Sequence, residues 1–228
     1  MIEERLCAVR KRIQDTCKRV NRDPKDIELL LVTKQVSSSQ IEEAYRLGIR
    51  DFGENRAQEL IDKQNQLPQD IRWHFIGSLQ TNKVKFLLGQ VVLIHSCDRL
   101  DLARELAKQA ANQSQAIEIL IQVNTSGEAT KHGFSLSTAR EGISEIVKFE
   151  HLKIRGLMTI GPNTEDQNRI RSAFRSLRVL RDQLQQECPK VDWHYLSMGM
   201  SSDFELAIEE GANLLRLGTA IFGERGSE

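Results

Sequence analysis

The chain is poor in the residues that staple, punctuate or polarise a small fold. Of its 228 residues only four are cysteine and four proline. Cys7, Cys17, Cys97 and Cys188 are scattered, with no C-x-x-C pair and no histidine at ligand spacing. That excludes a disulfide framework and argues against a zinc site, and it suits buried thiols in a reducing cytoplasm. Aromatics reach only 5%, too few for the interleaved stacking face that single-stranded nucleic acid requires. Charge of one sign is missing as well. Lys+Arg and Asp+Glu each number 32, so no global field draws nucleic acid or an anionic membrane. No apolar run approaches the roughly 20 residues of a membrane span, and the first residues lack the apolar core of a secretion signal. No G-x-G-x-x-G or G-x-x-x-x-G-K-[ST] follows an apolar segment, which removes the usual nucleotide fingerprints.

What is present is alternation. Residues 2–21 carry Ile2, Leu6, Val9, Ile13, Cys17 and Val20 on one stripe, an amphipathic helix. Candidate strands follow at 28–34, 50–53, 72–76, 91–95, 117–123, 153–160, 193–197 and 213–217. Helical patterns separate them near 38–48, 54–66, 80–88, 98–112, 135–149, 165–187 and 202–211. Such order implies parallel strands joined by right-handed crossovers. Eight units closing on themselves give a (β/α)8 TIM-type barrel, and the length is near the ~250 residues typical of one. An open doubly wound sheet is the alternative. No linker or composition break divides the chain, so residues 1–228 read as a single domain. The extra N-terminal helix is expected to plug the bottom of the barrel. An echo between Trp73-His74-Phe75-Ile76 and Trp193-His194-Tyr195-Leu196 falls on the third and seventh strands, opposite one another.

Sites in this architecture lie at the C-terminal ends of the strands, and phosphate commonly binds in the loops after strands seven and eight. Ser197-Met198-Gly199-Met200-Ser201 occupies the first loop and Gly218-Thr219 the second. Glycines there let a backbone approach an anion closely. Ser202-x-x-Glu205 reads as a capping box that would place free helix N–H groups beside it. Out of context, each segment is also simply a turn and a cap.

Lys34 ends the first strand. A solvated strand terminus looks the same, but at the barrel mouth a desolvated amine becomes a nucleophile that condenses with carbonyls. Arg216 lies two residues before Gly218, placed either for an internal ion pair or to face a ring nitrogen as a permanent cation. A phosphate cradle and an amine at one face suit an aldehyde cofactor bearing a phosphate. Asn55 follows the second strand and could bond a ring hydroxyl. His74 and Met158 read either as core residues or as ring contacts. The loop from Asn124 to Phe134 is a lid or a turn. Arg169, Arg171, Arg175, Arg178 and Arg181 form a basic helix face, read as solvated.

The combined motifs resemble a known family. Val32-Thr33-Lys34, Asp51-Phe52-Gly53-Glu54-Asn55, Trp73-His74-Phe75-Ile76-Gly77, Lys131-His132-Gly133, Gly156-Leu157-Met158-Thr159-Ile160, Leu196-Ser197-Met198-Gly199-Met200-Ser201 and Gly218-Thr219-Ala220-Ile221-Phe222-Gly223 are similar to those of the pyridoxal phosphate homeostasis proteins, single-domain relatives of alanine racemase. The resemblance implies a fold type III barrel that holds pyridoxal 5′-phosphate on Lys34 as a Schiff base (an internal aldimine). It implies that Arg216 faces the pyridine nitrogen and that the last two loops hold the phosphate. Contacts are expected from Lys34, Asn55, His74, Met158, Ser197, Met198, Gly199, Ser201, Arg216, Gly218 and Thr219. Such proteins influence vitamin B6 and amino-acid and keto-acid metabolism without established catalysis. Apo-enzymes that take up the cofactor, or a regulatory protein, are the partners implied. An amino-acid racemase is the enzyme alternative. It needs an acid/base group on each face of the carbanion, and racemases of this fold use a tyrosine from an added β-domain that is not expected here. Without that dimerisation domain, a monomer is expected.

Overall fold

A computed structural model describes residues 1–224. Their strands are β1 (Glu28–Val32), β2 (Asp51–Glu54), β3 (Arg72–Phe75), β4 (Leu93–Cys97), β5 (Ile117–Asn124), β6 (Phe134–Ser135), β7 (Leu152–Met158), β8 (Tyr195–Ser197) and β9 (Leu214–Leu217). Eight of them are parallel neighbours in the order β1-β2-β3-β4-β5-β7-β8-β9, and β9 pairs back onto β1. The β4–β5 pairing completes the ring, so the sheet is a closed barrel and the open doubly wound alternative falls. The two-residue β6 pairs with the end of β5 outside the ring. The seventh and eighth barrel strands are therefore β8 and β9.

Alternation along each strand sorts the side chains. Leu31, Phe52, Trp73, Phe75, Ile119 and Leu215 face outward into one continuous core beneath the helices. Leu30, Leu93, Leu120, Met158 and Leu214 form a second, smaller apolar cluster inside the barrel. Residues at the strands' N-terminal ends add charge: Arg72 bonds Asp51, Tyr195 donates to Glu28, and Arg155 pairs with Glu118 and Asp192.

The outer helices are α1 (Ile2–Arg19), α2 (Ser38–Arg46), α3 (Ala57–Gln64), α4 (Leu100–Asn112), α5 (Ala139–Ile146), α6 (Gln167–Glu187), α7 (Phe204–Glu209) and α8 (Thr219–Phe222). A 3-10 helix, Thr81–Phe86, stands where the third crossover helix was expected. The expected plug is corrected. Helix α1 lies in the outer layer against α2, α7 and α8, and its stripe Ile2, Leu6, Val9, Ile13 and Cys17 is buried in the outer core. The reason is length: α8 has only four residues, too short to cover the flank of the last strand. Arg12 seals the contact with a two-point pair to Glu205, and Arg22 donates to the carbonyls of Ile208 and Ala212 at 2.7 Å each. The basic face of α6 is not merely solvated. Arg171 pairs with Glu209, while Arg175 and Arg178 pair with Glu210, tying α6 to α7.

Candidate cofactor site at the barrel mouth

The residues expected at the site fall on neighbouring strands. Asn55 follows β2, Lys34 follows β1, Arg216 and Gly218 end β9, Ser197 and Gly199 end β8, and Met158 ends β7. The ring order makes these strands consecutive, with Val32 opposite Gly53 and Leu30 opposite Arg216. One contiguous arc of the rim thus gathers an amine, a guanidinium and two small-residue loops.

Lys34 stands two residues beyond the end of β1, on a turn, rather than on the strand itself. The strand stops because Gln35 adopts φ +57°, which extended pairing cannot accommodate. Lys34 is exposed, and among the described residues its amine has no partner. Its two neighbours are fixed instead. Lys63 Nζ donates to the Thr33 carbonyl at 2.7 Å and to Glu54 and Glu59 at 2.7 Å each. The Thr33 hydroxyl donates to Glu54 at 2.6 Å, and the Gln35 N–H to Glu59 at 2.7 Å. Burial pushes the Glu54 carboxyl up, against the opposing bonds from Lys63 and Thr33.

Arg216 is 5% exposed. It donates to Ser197 Oγ and to the Thr159 carbonyl, each at 2.8 Å. Burial pushes its pKa down to about 10, with Asp203 opposing, so it remains a cation at neutral pH. Behind it runs an internal chain. His95 Nδ1 lies 3.1 Å from Ser197 Oγ, His95 Nε2 lies 3.0 Å from His74 Nδ1, and His74 Nε2 lies 3.0 Å from Asp51.

The two loops are tied by Ser201, whose Oγ accepts the N–H groups of Ala220 at 3.1 Å and Gly218 at 3.4 Å. The backbone N–H groups of Ser201, Ser202 and Thr219 find no acceptor among the described residues, so they are free for an anion. Gly199 has φ +94°, and a Cβ there would sit 2.6 Å from the Ala207 Cβ, which only glycine avoids. The capping box is corrected. Asp203, not Ser202, stands at the N-cap position of α7 and makes no side-chain cap bond, and Glu205 reaches Arg12 rather than the cap backbone. Asp203 instead accepts the Met200 N–H at 2.6 Å and so shapes the loop.

The remaining expected contacts divide. The Asn55 Oδ1 is buried without a partner, an open acceptor at the rim. Met158 is buried in the inner apolar cluster. Met198 packs into the outer core, leaving only its backbone on the site side. His74 has both ring nitrogens engaged inside the barrel. Sequence reasoning missed His95, hidden in the buried run Leu93-Ile94-His95-Ser96, and Lys63, whose only signal is its i, i+4 spacing from Glu59. A cleft of about 790 Å³ opens beside the Gly199–Ser202 loop and is lined by Lys131, Arg171, Met200, Ser202 and Asp203.

Residues 5–226 match the model of the alanine racemase N-terminal domain. A pyridoxal phosphate homeostasis protein of Aquifex aeolicus is 48% identical over 97% of both chains. The chain belongs to this family. PipY of Synechococcus elongatus PCC7942, in its structure with PLP bound, superposes with a TM-score of 0.86 at 34% identity, covering 98% of this chain and all of that one. An alanine racemase of Clostridium difficile 630 shares the fold alone, with a TM-score of 0.74 at 16% identity over 96% of this chain and 57% of its own. Among the described residues no helix is long and apolar enough to cross a membrane.

Proposed function

We propose that this chain binds pyridoxal 5′-phosphate at the barrel mouth and serves intracellular vitamin B6 and amino-acid/keto-acid homeostasis as a cofactor holder without classical catalysis. The observation that carries the reading is the contiguous arc from Asn55 through Lys34 to the Ser201–Gly218 clasp. Its donor set fits the group. Free loop N–H groups suit a dianionic phosphate, the unpartnered Asn55 Oδ1 suits a hydroxyl or N–H donor, and an exposed, unpaired lysine suits a carbonyl. When bound, the cofactor supplies an aldehyde carbon and an electron-withdrawing ring. Lys34 offers the amine, Ser201 holds the two phosphate loops together, and Arg216 presents a fixed cation to the ring nitrogen, disfavouring its protonation.

Support for the absence of racemisation comes from the tyrosines. The hydroxyl of Tyr45 donates to Asp70 on the outer surface, and that of Tyr195 to Glu28 at the opposite end of the barrel. Neither stands at the mouth to act as a second acid/base group. The protein is proposed to work as a single-domain cytoplasmic monomer, passing the cofactor to apo-enzymes or signalling its occupancy to a regulatory protein.

The test is a visible absorption spectrum followed by borohydride reduction and peptide mapping. A pyridoxyl group on Lys34 that Lys34→Ala abolishes is expected. Wild-type protein that takes up no cofactor from excess ends the reading. Solvent deuterium entering the α-carbon of an amino acid, dependent on Lys34, would instead restore the racemase alternative.

A further inference from the structure

The barrel interior holds two histidines, His74 and His95, that with Ser197 join Asp51 on β2 to Arg216 on β9. We propose that these four residues form a one-way hydrogen-bond relay that positions the Arg216 guanidinium, making Asp51, His74, His95 and Ser197 positioning residues for the ring end of the cofactor site. The inference rests on the reading of the mouth as a pyridoxal 5′-phosphate site, which it deepens.

The direction follows from which atoms can donate. Arg216 has N–H groups and no acceptor, so Ser197 Oγ must receive its bond. At the other end, Asp51 Oδ1 already accepts from Arg72 Nε at 2.8 Å and Arg72 Nη2 at 2.7 Å. Burial alone would push the Asp51 carboxyl up, but His74 and Arg72 outweigh it and hold it low. Asp51 is therefore a carboxylate that only accepts, and His74 Nε2 must carry a hydrogen.

A neutral His74 then has a bare Nδ1, which has to accept from His95 Nε2. That leaves His95 Nδ1 bare, and the one group in reach is the Ser197 hydroxyl. Ser197 thus spends its single hydrogen on His95 and turns its lone pairs toward Arg216. Every proton is used once, and both rings are neutral Nε2–H tautomers.

A second proton on the pair would reverse the two inner links. His95 Nδ1–H would then donate to Ser197, whose two lone pairs would accept from His95 and Arg216 and whose hydrogen would lose its acceptor. His95 itself does not take up that proton. It is completely buried, and burial first, then His74 and the Arg216 cation, push its pKa well down. Asp51 is the carboxylate on the chain, and it lies beyond His74.

The functional consequence concerns aim. Arg216 is held by two bonds, Nη1 to Ser197 and Nη2 to the Thr159 carbonyl, which fix the plane of the guanidinium. Nε has no acceptor among the described residues. Thr159 supplies a backbone anchor that any side chain there would provide, whereas the Ser197 anchor depends on the hydroxyl pointing away toward His95. The relay therefore selects the rotamer that leaves Ser197 a pure acceptor for Arg216.

The experiment begins with the full chain before cofactor is added, labelled with 15N in histidine and assigned with His74→Gln and His95→Gln. Long-range 15N–1H correlation is expected to show one hydrogen on each ring, on Nε2, at about pH 8. A hydrogen on His95 Nδ1, or a cationic pair at neutral pH, overturns the proposal. The second arm uses Ser197→Ala loaded with pyridoxal 5′-phosphate. The pH midpoint of its visible band is expected to move by about one unit, a tenfold change in proton affinity. A folded Ser197→Ala with the wild-type midpoint overturns the positioning role, and if that variant does not fold, the wild-type tautomers still decide. Wild-type protein that stays colourless while showing the expected tautomers would sink the cofactor reading and leave the relay's direction standing.

Discussion

Lys63 Nζ lies 2.7 Å from the carbonyl of Thr33, so a buried cation on α3 fixes the peptide immediately before Lys34. The same ammonium neutralises Glu54, whose side chain is wholly inside the protein. Removing one partner of such a pair leaves an uncompensated buried charge, at a cost of about 3–5 kcal/mol. Lys63→Met should therefore lower the melting temperature by roughly 6–20 °C for a chain of this size. The sign with pH is fixed by Glu54. Its folded pKa is raised, so ionisation opposes folding once pH passes the unfolded value, and the deficit should shrink on acidification. Calorimetry of both proteins across pH checks this, and an unchanged melting temperature at neutral pH would contradict it.

The proposed phosphate grip depends on Gly199. At φ +94° with Ala207 already in contact distance, Gly199→Ala forces the loop outward and should cost about 1–3 kcal/mol of stability. Its affinity for pyridoxal 5′-phosphate should fall by about tenfold or more, the loss of one good contact. Affinity for pyridoxal, which has no phosphate, should hardly change. Parallel titrations of the two ligands measure the difference, and equal losses for both would place the phosphate elsewhere.

Asp203 offers a pH test of the same loop. Burial raises its pKa, against the Met200 N–H and the Arg216 cation. A carboxyl with a raised folded pKa favours folding while protonated and opposes it once ionised. Asp203→Asn keeps an acceptor for Met200 without the charge. It should be more stable than wild type at neutral pH, with the gain vanishing as pH falls below about 4. A loss of stability at neutral pH would mean that the ionised group is needed.

Cys97 is completely buried, and burial first, then Asp98, pushes its thiol up to about 12. Iodoacetamide on the native protein should leave Cys97 untouched while modifying the exposed Cys7. Peptide mass spectrometry gives the answer directly, and modified Cys97 in folded protein would refute it.

Much of the architecture was legible because most barrel strands carry a compact apolar run and most crossovers a helical period. The two loops after β8 and β9 and Arg216 stood out as site candidates because small residues and a cation at the ends of the last two strands have few other uses. What escaped notice depends on three-dimensional neighbours. Phe134-Ser135 is too short to carry a strand period, and it pairs only because β5 runs long. Ser202 and Glu205 have capping-box spacing, yet Arg12, distant in sequence, takes the glutamate. The placement of α1 follows from the brevity of α8, which periodicity in residues 2–21 does not encode. His95 looks like one more core position until Ser197 and His74 meet it from other strands.

The fastening of α1 to α7 and α8 bears on how the protein is made. The helix leaves the ribosome well before α7 and α8, two of the surfaces on which it packs. At about 5–20 residues per second, its greasy stripe waits roughly 10–40 s for a seat, a window in which a chaperone has the most to hold. When the final strand arrives, the loops that clasp Ser201 and the berth for α1 are completed together. A nascent chain stalled before β9 would have neither.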